Sequence, residues 1–251
     1  MGVTFSATPA VKLKPQVYIA KGSSPWYNDR EWPDRSKVTN TDESVSGQVT
    51  VTCKDVTNMN SMLYNCSNLT SLDLSNFITS SVTDMRFMFN DCSKLTSLDL
   101  SNFDTSKVYT MWFMFNDCNS LTSLDVTKFN TSNVTSMGAM FSGCSKLTTL
   151  DLSNFDTSNV TDMYNMFNRC SNLTTLDISN FDTSNVSDMT GMFYNCSNLT
   201  TIKGIIDMKS CKYYMDMFDR CPRLTDVKIK NPPVDFESKS RLSKSQYTIV
   251  S

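Results

Sequence analysis

The sequence predicts an α/β solenoid: a right-handed stack of about seven repeats, with a parallel sheet along one side and short helices along the other. Three observations carry this expectation. Cys66, Cys92, Cys118, Cys144, Cys170 and Cys196 are each 26 residues apart, and Cys221 follows after 25. The segment from Leu147 to Met163 recurs with small changes between Val56 and Cys221. Within each copy, apolar residues first alternate and then fall three or four apart, which is a strand pattern followed by a helix pattern. A unit of this length cannot bury its own apolar side, so copies must stack.

Leu147, Leu150 and Leu152 give L-x-x-L-x-L, the strand pattern of a leucine-rich-repeat-like unit. Leu150 and Leu152 face one way and Asp151 the other. Phe155 then turns inward, with Phe77, Phe103, Phe129 and Phe181 in the same row, forming an aromatic ladder. Asp156-Thr157-Ser158-Asn159 is polar and reads as a turn. Val160, Met163, Phe167 and Cys170 are spaced three, four and three apart, one face of a short helix that Met166 widens. Ser158 or Thr161 is its expected N-cap, and Asp162 in the first turn suits the helix dipole. At a strand spacing of about 4.8 Å the stack runs for roughly 30 to 35 Å.

The ends differ from the repeat. Residues 1–52 are expected to form an N-terminal cap, 53–229 the repeats and 230–251 a C-terminal cap. In the first cap, Val11 to Ala20 reads as an edge strand, and Ser23 to Pro33 is rich in turn formers and aromatics. Asn231-Pro-Pro breaks the pattern, and Leu242 to Val250 is expected to supply a turn and a closing strand.

Composition narrows the function classes. The 251 residues carry 23 basic against 25 acidic side chains, with no basic stripe to neutralise a phosphate backbone, so nucleic acid is not an expected partner. No run of 18 apolar residues exists, so direct membrane insertion is not expected. Histidine is absent, which removes the commonest general base and the commonest zinc ligand. The expectation is a non-enzyme with no catalytic, cofactor-binding or metal-ligating residues. The periodic cysteines read as one buried line of free thiols. Cys53 and Cys211 break the period and are placed near the ends, as the pair or exposed thiols of the set.

Two outward faces hold the candidate ligand-binding residues. On the strand side Asp73, Asp99, Asp125, Asp151 and Asp177 form a row between hydroxyl rows, until Lys203 breaks it. Like charges at this spacing repel, and water, a local hydroxyl, a cation or a ligand must relieve them. On the other side the two positions after the first Met change between copies: Arg86-Phe87, Trp112-Phe113, Gly138-Ala139, Tyr164-Asn165 and Thr190-Gly191. Tyr109, Trp112, Phe113 and Tyr164 are the candidates there, because exposed aromatics anchor binding patches.

The unit resembles the BspA-like leucine-rich repeat, also described as the Mycoplasma-type lipoprotein surface repeat. Its core is L-x-x-L-D-L-S-N-F-D-T-S-N-V-T-D-M-x-x-M-F-x-x-C-S. Leu147 to Ser171 matches throughout, and Leu95 to Asn119 departs only at Lys107, Tyr109, Thr110 and Asn119. The resemblance implies a surface or secreted protein that adheres to host proteins and cells, and it brings no catalytic residue. The start, Met1 to Phe5, lacks the runs of an export signal, so the surface address comes from the resemblance alone. The functional expectation is an adhesion or ligand-recognition module for a host or cell-surface protein or glycan. The alternatives are a receptor-binding component of a phage tail, hence a virion location, and a structural spacer. The sequence leaves the oligomeric state open.

Overall fold

A computed structural model describes residues 4–6, 48–52, 56–75 and 77–251. The expected elements at Val11–Ala20 and Ser23–Pro33, most of the N-terminal cap and Cys53 lie outside these residues. Three short sheets are present among the described residues. β1 (Thr4–Ser6) pairs antiparallel with β2 (Gln48–Thr52), which pairs parallel with β3 (Ser71–Asp73). β4 (Thr175–Asp177) pairs parallel with β5 (Thr201–Lys203). β6 (Ile205–Asp207), β7 (Val227–Lys230) and β8 (Tyr247–Val250) form a parallel trio, with α1 (Phe236–Ser240) between β7 and β8 in sequence. A ladder of single parallel bridges runs through Asn58, Asp84, Thr110, Ser136, Asp162, Asp188 and Tyr213, one residue from each repeat.

This corrects the expected fold class. A leucine-rich-repeat-like α/β solenoid needs a helix in each repeat, and α1, the one helix among the described residues, lies beyond the repeats. The segments read as helices are successive tight turns. In the fifth repeat, the N–H groups of Met163, Asn165, Phe167 and Arg169 donate to Asp188, Thr190, Met192 and Tyr194 of the next repeat. The alternate amides, Met166, Asn168 and Cys170, donate three residues back within their own repeat. Half the amides that would close helical turns are thus committed across the stack. Left-handed residues also recur in pairs four apart: Phe87 and Asp91, Phe113 and Asp117, Asn165 and Arg169. A right-handed helix has no place for them. The three-and-four spacing comes from these turns, so Ser158 and Thr161 cap nothing helical.

The expected continuous sheet is also corrected. Leu150 and Leu152 are buried and Asp151 is exposed, but the segments around Asp99, Asp125 and Asp151 are not paired as strands. The stack is held instead by the turn-side bonds and by side chains reaching one repeat along. The hydroxyl of Thr157, buried in the polar turn, donates to the carbonyl of Asp182 at 3.0 Å and accepts its N–H at 2.8 Å. Thr79, Thr105, Thr131 and Thr183 do the same. Asn180 donates to the carbonyls of Leu152 and Phe155.

The core consists of parallel rows. Phe77, Phe103, Phe129, Phe155 and Phe181 are buried, with Phe77 stacked on Phe103 at 6.0 Å and Phe155 on Phe181 at 6.4 Å. A second row, Phe89, Phe115, Phe141, Phe167, Phe193 and Phe218, stacks at 5.3 to 5.9 Å between centroids. Beside it run the cysteines, free and buried from Cys66 to Cys196 and at Cys221. Each thiol from Cys92 on donates to a carbonyl of the preceding repeat, as Cys144 does to Phe115 at 3.2 Å. That carbonyl already accepts the N–H of Cys118, so the thiol uses its second lone pair.

The C-terminal segment takes the place of a further repeat. The carbonyls of Lys239 and Ser240 accept the N–H groups of Asp216 and Phe218, while β8 extends the sheet beyond β7. Phe236 and Leu242 are buried over the end of the core.

Candidate functional site

The strand side carries the aspartate row. Each carboxylate accepts the N–H two residues on: Ser75 to Asp73, Ser101 to Asp99, Thr127 to Asp125, Ser153 to Asp151 and Ser179 to Asp177, all at 2.9 to 3.0 Å. This is the local turn that Asp forms readily. The hydroxyl and N–H of the same Ser or Thr hold Asp99, Asp125 and Asp177 below the usual carboxylate range. For Asp151 the Ser153 N–H contributes most, followed by its hydroxyl. Lys203 closes the row with a 3.7 Å ion pair to Asp177. From Asp99 to Asp177 the row is an array of carboxylates whose ionised form is favoured by the hydroxyl and N–H of their own neighbours.

The turn side carries the aromatics. Phe87 and Phe113 stack at 5.1 Å with 22° between planes. Trp112 meets both edge-on, at 5.2 Å from Phe87 and 4.6 Å from Phe113, and Tyr64 meets Phe87 edge-on at 6.2 Å. All four rings are half-buried. They therefore form one cluster across the first three repeats. Phe87 and Phe113 hold φ of 55° and 58°, a left-handed backbone that Gly191 occupies in the sixth repeat. The same position is left-handed at Ser61, Ala139, Asn165 and Asp216, so this backbone belongs to the repeating turn and does not set the cluster apart.

The fourth repeat makes room for this cluster. A Cβ on Gly138 would lie 2.7 Å from Cδ1 and Nε1 of Trp112, so the indole leans over the missing side chain. Likewise a Cβ on Gly143 would collide with Oδ1 of Asp117. Gly138, Ala139 and Gly143 are buried under these neighbours.

The structure distributes the sequence-predicted residues as follows. Trp112 and Phe113 are in the cluster. Tyr109 is 46 % exposed in a row otherwise held by Thr83, Thr135 and Thr161. Tyr164 lies two repeats from Trp112, across the glycine-bearing repeat, with its N–H on Asp162 at 2.9 Å. Asp73, Asp99, Asp125, Asp151 and Asp177 belong to the strand segment, apart in sequence from this turn segment. Sequence reasoning missed Phe87 as a partner of Trp112, and Tyr64 as a partner of Phe87. The signal was available, because Phe87 and Phe113 are 26 residues apart.

Ionisable groups behind the cluster are tied up structurally. Asp84 is almost wholly buried and takes Arg86 through Nε and Nη2 at 2.5 to 3.0 Å. Asp162 accepts the Ser136 hydroxyl at 2.8 Å, and burial raises its carboxyl. Burial pushes the thiols of Cys118 and Cys170 up to about 12, which leaves them protonated and unreactive at neutral pH. Cys211 is half-buried and its thiol is raised to about 11. Among the described residues, no group of three or more Cys, Asp and Glu side chains is placed to hold a metal ion. Also among them, no helix is long and apolar enough to cross a membrane.

Fold and surface together define a β-rich repeat protein whose distinguishing outward feature is an aromatic cluster on its early repeats. The chain belongs to the family described as "Mycoplasma protein of unknown function, DUF285", whose profile matches residues 34–125 and 114–231. No curated protein gives a significant match.

Proposed function

We propose that the protein is a non-enzymatic recognition module that adheres to a host or cell-surface protein or glycan. The observation that carries this reading is the Tyr64–Phe87–Trp112–Phe113 cluster. Later repeats keep the same core and place Gly138-Ala139, Tyr164-Asn165 or Thr190-Gly191 at the positions of Trp112 and Phe113. The departure falls outside the stacked Phe, Met and Cys rows of the core. Aromatic side chains at the middle of a surface patch supply most of the binding energy of an interface.

The finer resemblance to BspA-like surface proteins agrees with this reading and supplies the proposed location, cell surface or secreted. The absence of histidine and the protonated thiols argue for a binding role without catalysis. The test is a glycan and matrix-protein binding screen on the wild-type chain, repeated with Trp112→Ala and Phe113→Ala. Each substitution is expected to weaken the selected partner by at least tenfold, as for a central aromatic anchor. Unchanged affinity in both variants removes the cluster as the binding site.

A further inference from the structure

The chemistry surrounding the aromatic cluster is asymmetric. The second left-handed position of each turn segment forms a column: Asn65, Asp91, Asp117, Gly143, Arg169, Asn195 and Arg220. In the two repeats that carry Phe87, Trp112 and Phe113, that position is an aspartate. Partial burial raises the Asp91 carboxyl and the charge of Asp117 raises it further, so the two carboxylates feel each other one repeat apart. Asn116 ties Asp117 to the preceding repeat, its amide donating to Asn90 Oδ1 at 2.8 Å and to Asp117 Oδ2 at 2.9 Å, while the Asp91 N–H donates to the Asn116 carbonyl. The guanidinium of Arg86 in the same region pairs with Asp84. The column turns basic only at Arg169, beyond the glycine-bearing repeat.

The wider charge distribution has the same polarity. Residues 56–200 hold thirteen acidic against six basic side chains, and residues 201–251 hold six acidic against ten basic. Half-buried aromatics, each followed four residues on by a carboxylate on the same turn segment, in the acidic part of the chain, are complementary to a segment with both cationic and apolar side chains. The cation can lie over a ring face and reach a carboxylate at once, and the apolar side chain covers the ring edges. A neutral glycan uses the rings and leaves the carboxylates uncompensated.

We infer that the partner seats a basic, apolar polypeptide segment on Phe87, Trp112 and Phe113, with its cationic side chains directed to Asp91 and Asp117. This rests on the recognition role proposed above and names the chemistry of the ligand at that same site.

The experiment uses three synthetic twelve-residue peptides, alternating Lys with Leu, Glu with Leu, and Lys with Ser. Each is titrated calorimetrically into the full chain at low and at moderate salt. The Lys/Leu peptide is expected to bind at least tenfold more tightly than either of the others. Asp91→Asn with Asp117→Asn is expected to remove that preference and flatten its salt dependence. Asp99→Asn with Asp125→Asn and Asp151→Asn is expected to leave it unchanged, and circular dichroism confirms that both variants fold. Equal binding of the Lys/Leu and Glu/Leu peptides overturns the inference. So does a loss of preference on substituting the strand-side row and not Asp91 and Asp117. If a neutral glycan binds through Trp112 and Phe113 while Asp91 and Asp117 have no effect, the recognition role stands and the basic, apolar partner is overturned.

Discussion

The Thr157 hydroxyl bonds both backbone groups of Asp182, donating to its carbonyl at 3.0 Å and accepting its N–H at 2.8 Å. One buried side chain thereby replaces two rungs of a β-ladder between neighbouring repeats. Thr157→Val keeps the shape and removes both bonds, leaving the partly buried N–H and carbonyl of Asp182 without this partner. A loss of about 1 to 3 kcal/mol is expected for such a deletion, read from urea unfolding. Thr157→Ser keeps the hydroxyl and is expected to lose less. Equal losses would show that the methyl packing matters and the bonds do not.

The cysteine line makes a chemical prediction. Cys118 and Cys170 are wholly buried with thiols at about 12. At pH 7 to 8 a thiol reagent should not modify them in the folded chain, and unfolding should expose them together. Rapid native labelling of either residue would contradict the buried placement.

Asp162 should show its burial in the pH dependence of stability. Its folded carboxyl is raised above the unfolded value of about 3.9. The ionised form is therefore disfavoured in the folded state, and stability from this group is gained as pH falls through the folded value toward the unfolded one. Asp162→Asn is expected to remove that gain and to leave stability at pH 7 unchanged or higher. A large loss at pH 7 would mean that the charge itself holds the turn.

The strand-side row behaves oppositely. Asp151 is lowered by the N–H and hydroxyl of Ser153. It favours the folded state above about pH 3.9, and that contribution is lost as pH falls through its lower folded value. Ser153→Ala keeps the N–H and removes the hydroxyl, so the Asp151 titration followed by NMR should move up toward the usual carboxylate value. An unmoved titration would show that the hydroxyl plays no part.

Gly138 should position Trp112. Gly138→Ala places a methyl 2.7 Å from the indole edge and should displace the ring, changing the near-UV circular dichroism while the far-UV spectrum holds. An unchanged near-UV spectrum would place the indole elsewhere.

Much of the interior was legible in the sequence because its rows are periodic. The Leu150 and Leu152 positions, the Phe155 row and the buried cysteines follow from spacing and polarity alone. The helices did not follow, because Met163, Phe167 and Cys170 have the same spacing on a helix and on a chain of tight turns. What decides between them is the left-handed backbone at Asn165 and Arg169, and neither residue type announces it strongly. The polar turn is where it was expected, but the burial of Thr157 within it was not foreseen, for a related reason. Thr157 looks like a surface residue until the next repeat supplies a backbone for it to bridge. At the site, Trp112 and Phe113 stood out as departures from the repeat, while Phe87 and Asp117 gained meaning only when neighbouring repeats were placed side by side.

Recognition through the aromatic repeats is tested most directly by an amide hydrogen-exchange footprint of the full chain with its selected ligand bound. The expected result is slowed exchange at residues 86–91 and 112–117, with little change at the strand segments around Asp99, Asp125 and Asp151. Slowed exchange confined to those strand segments, with the Trp112 turn unaffected, would contradict it.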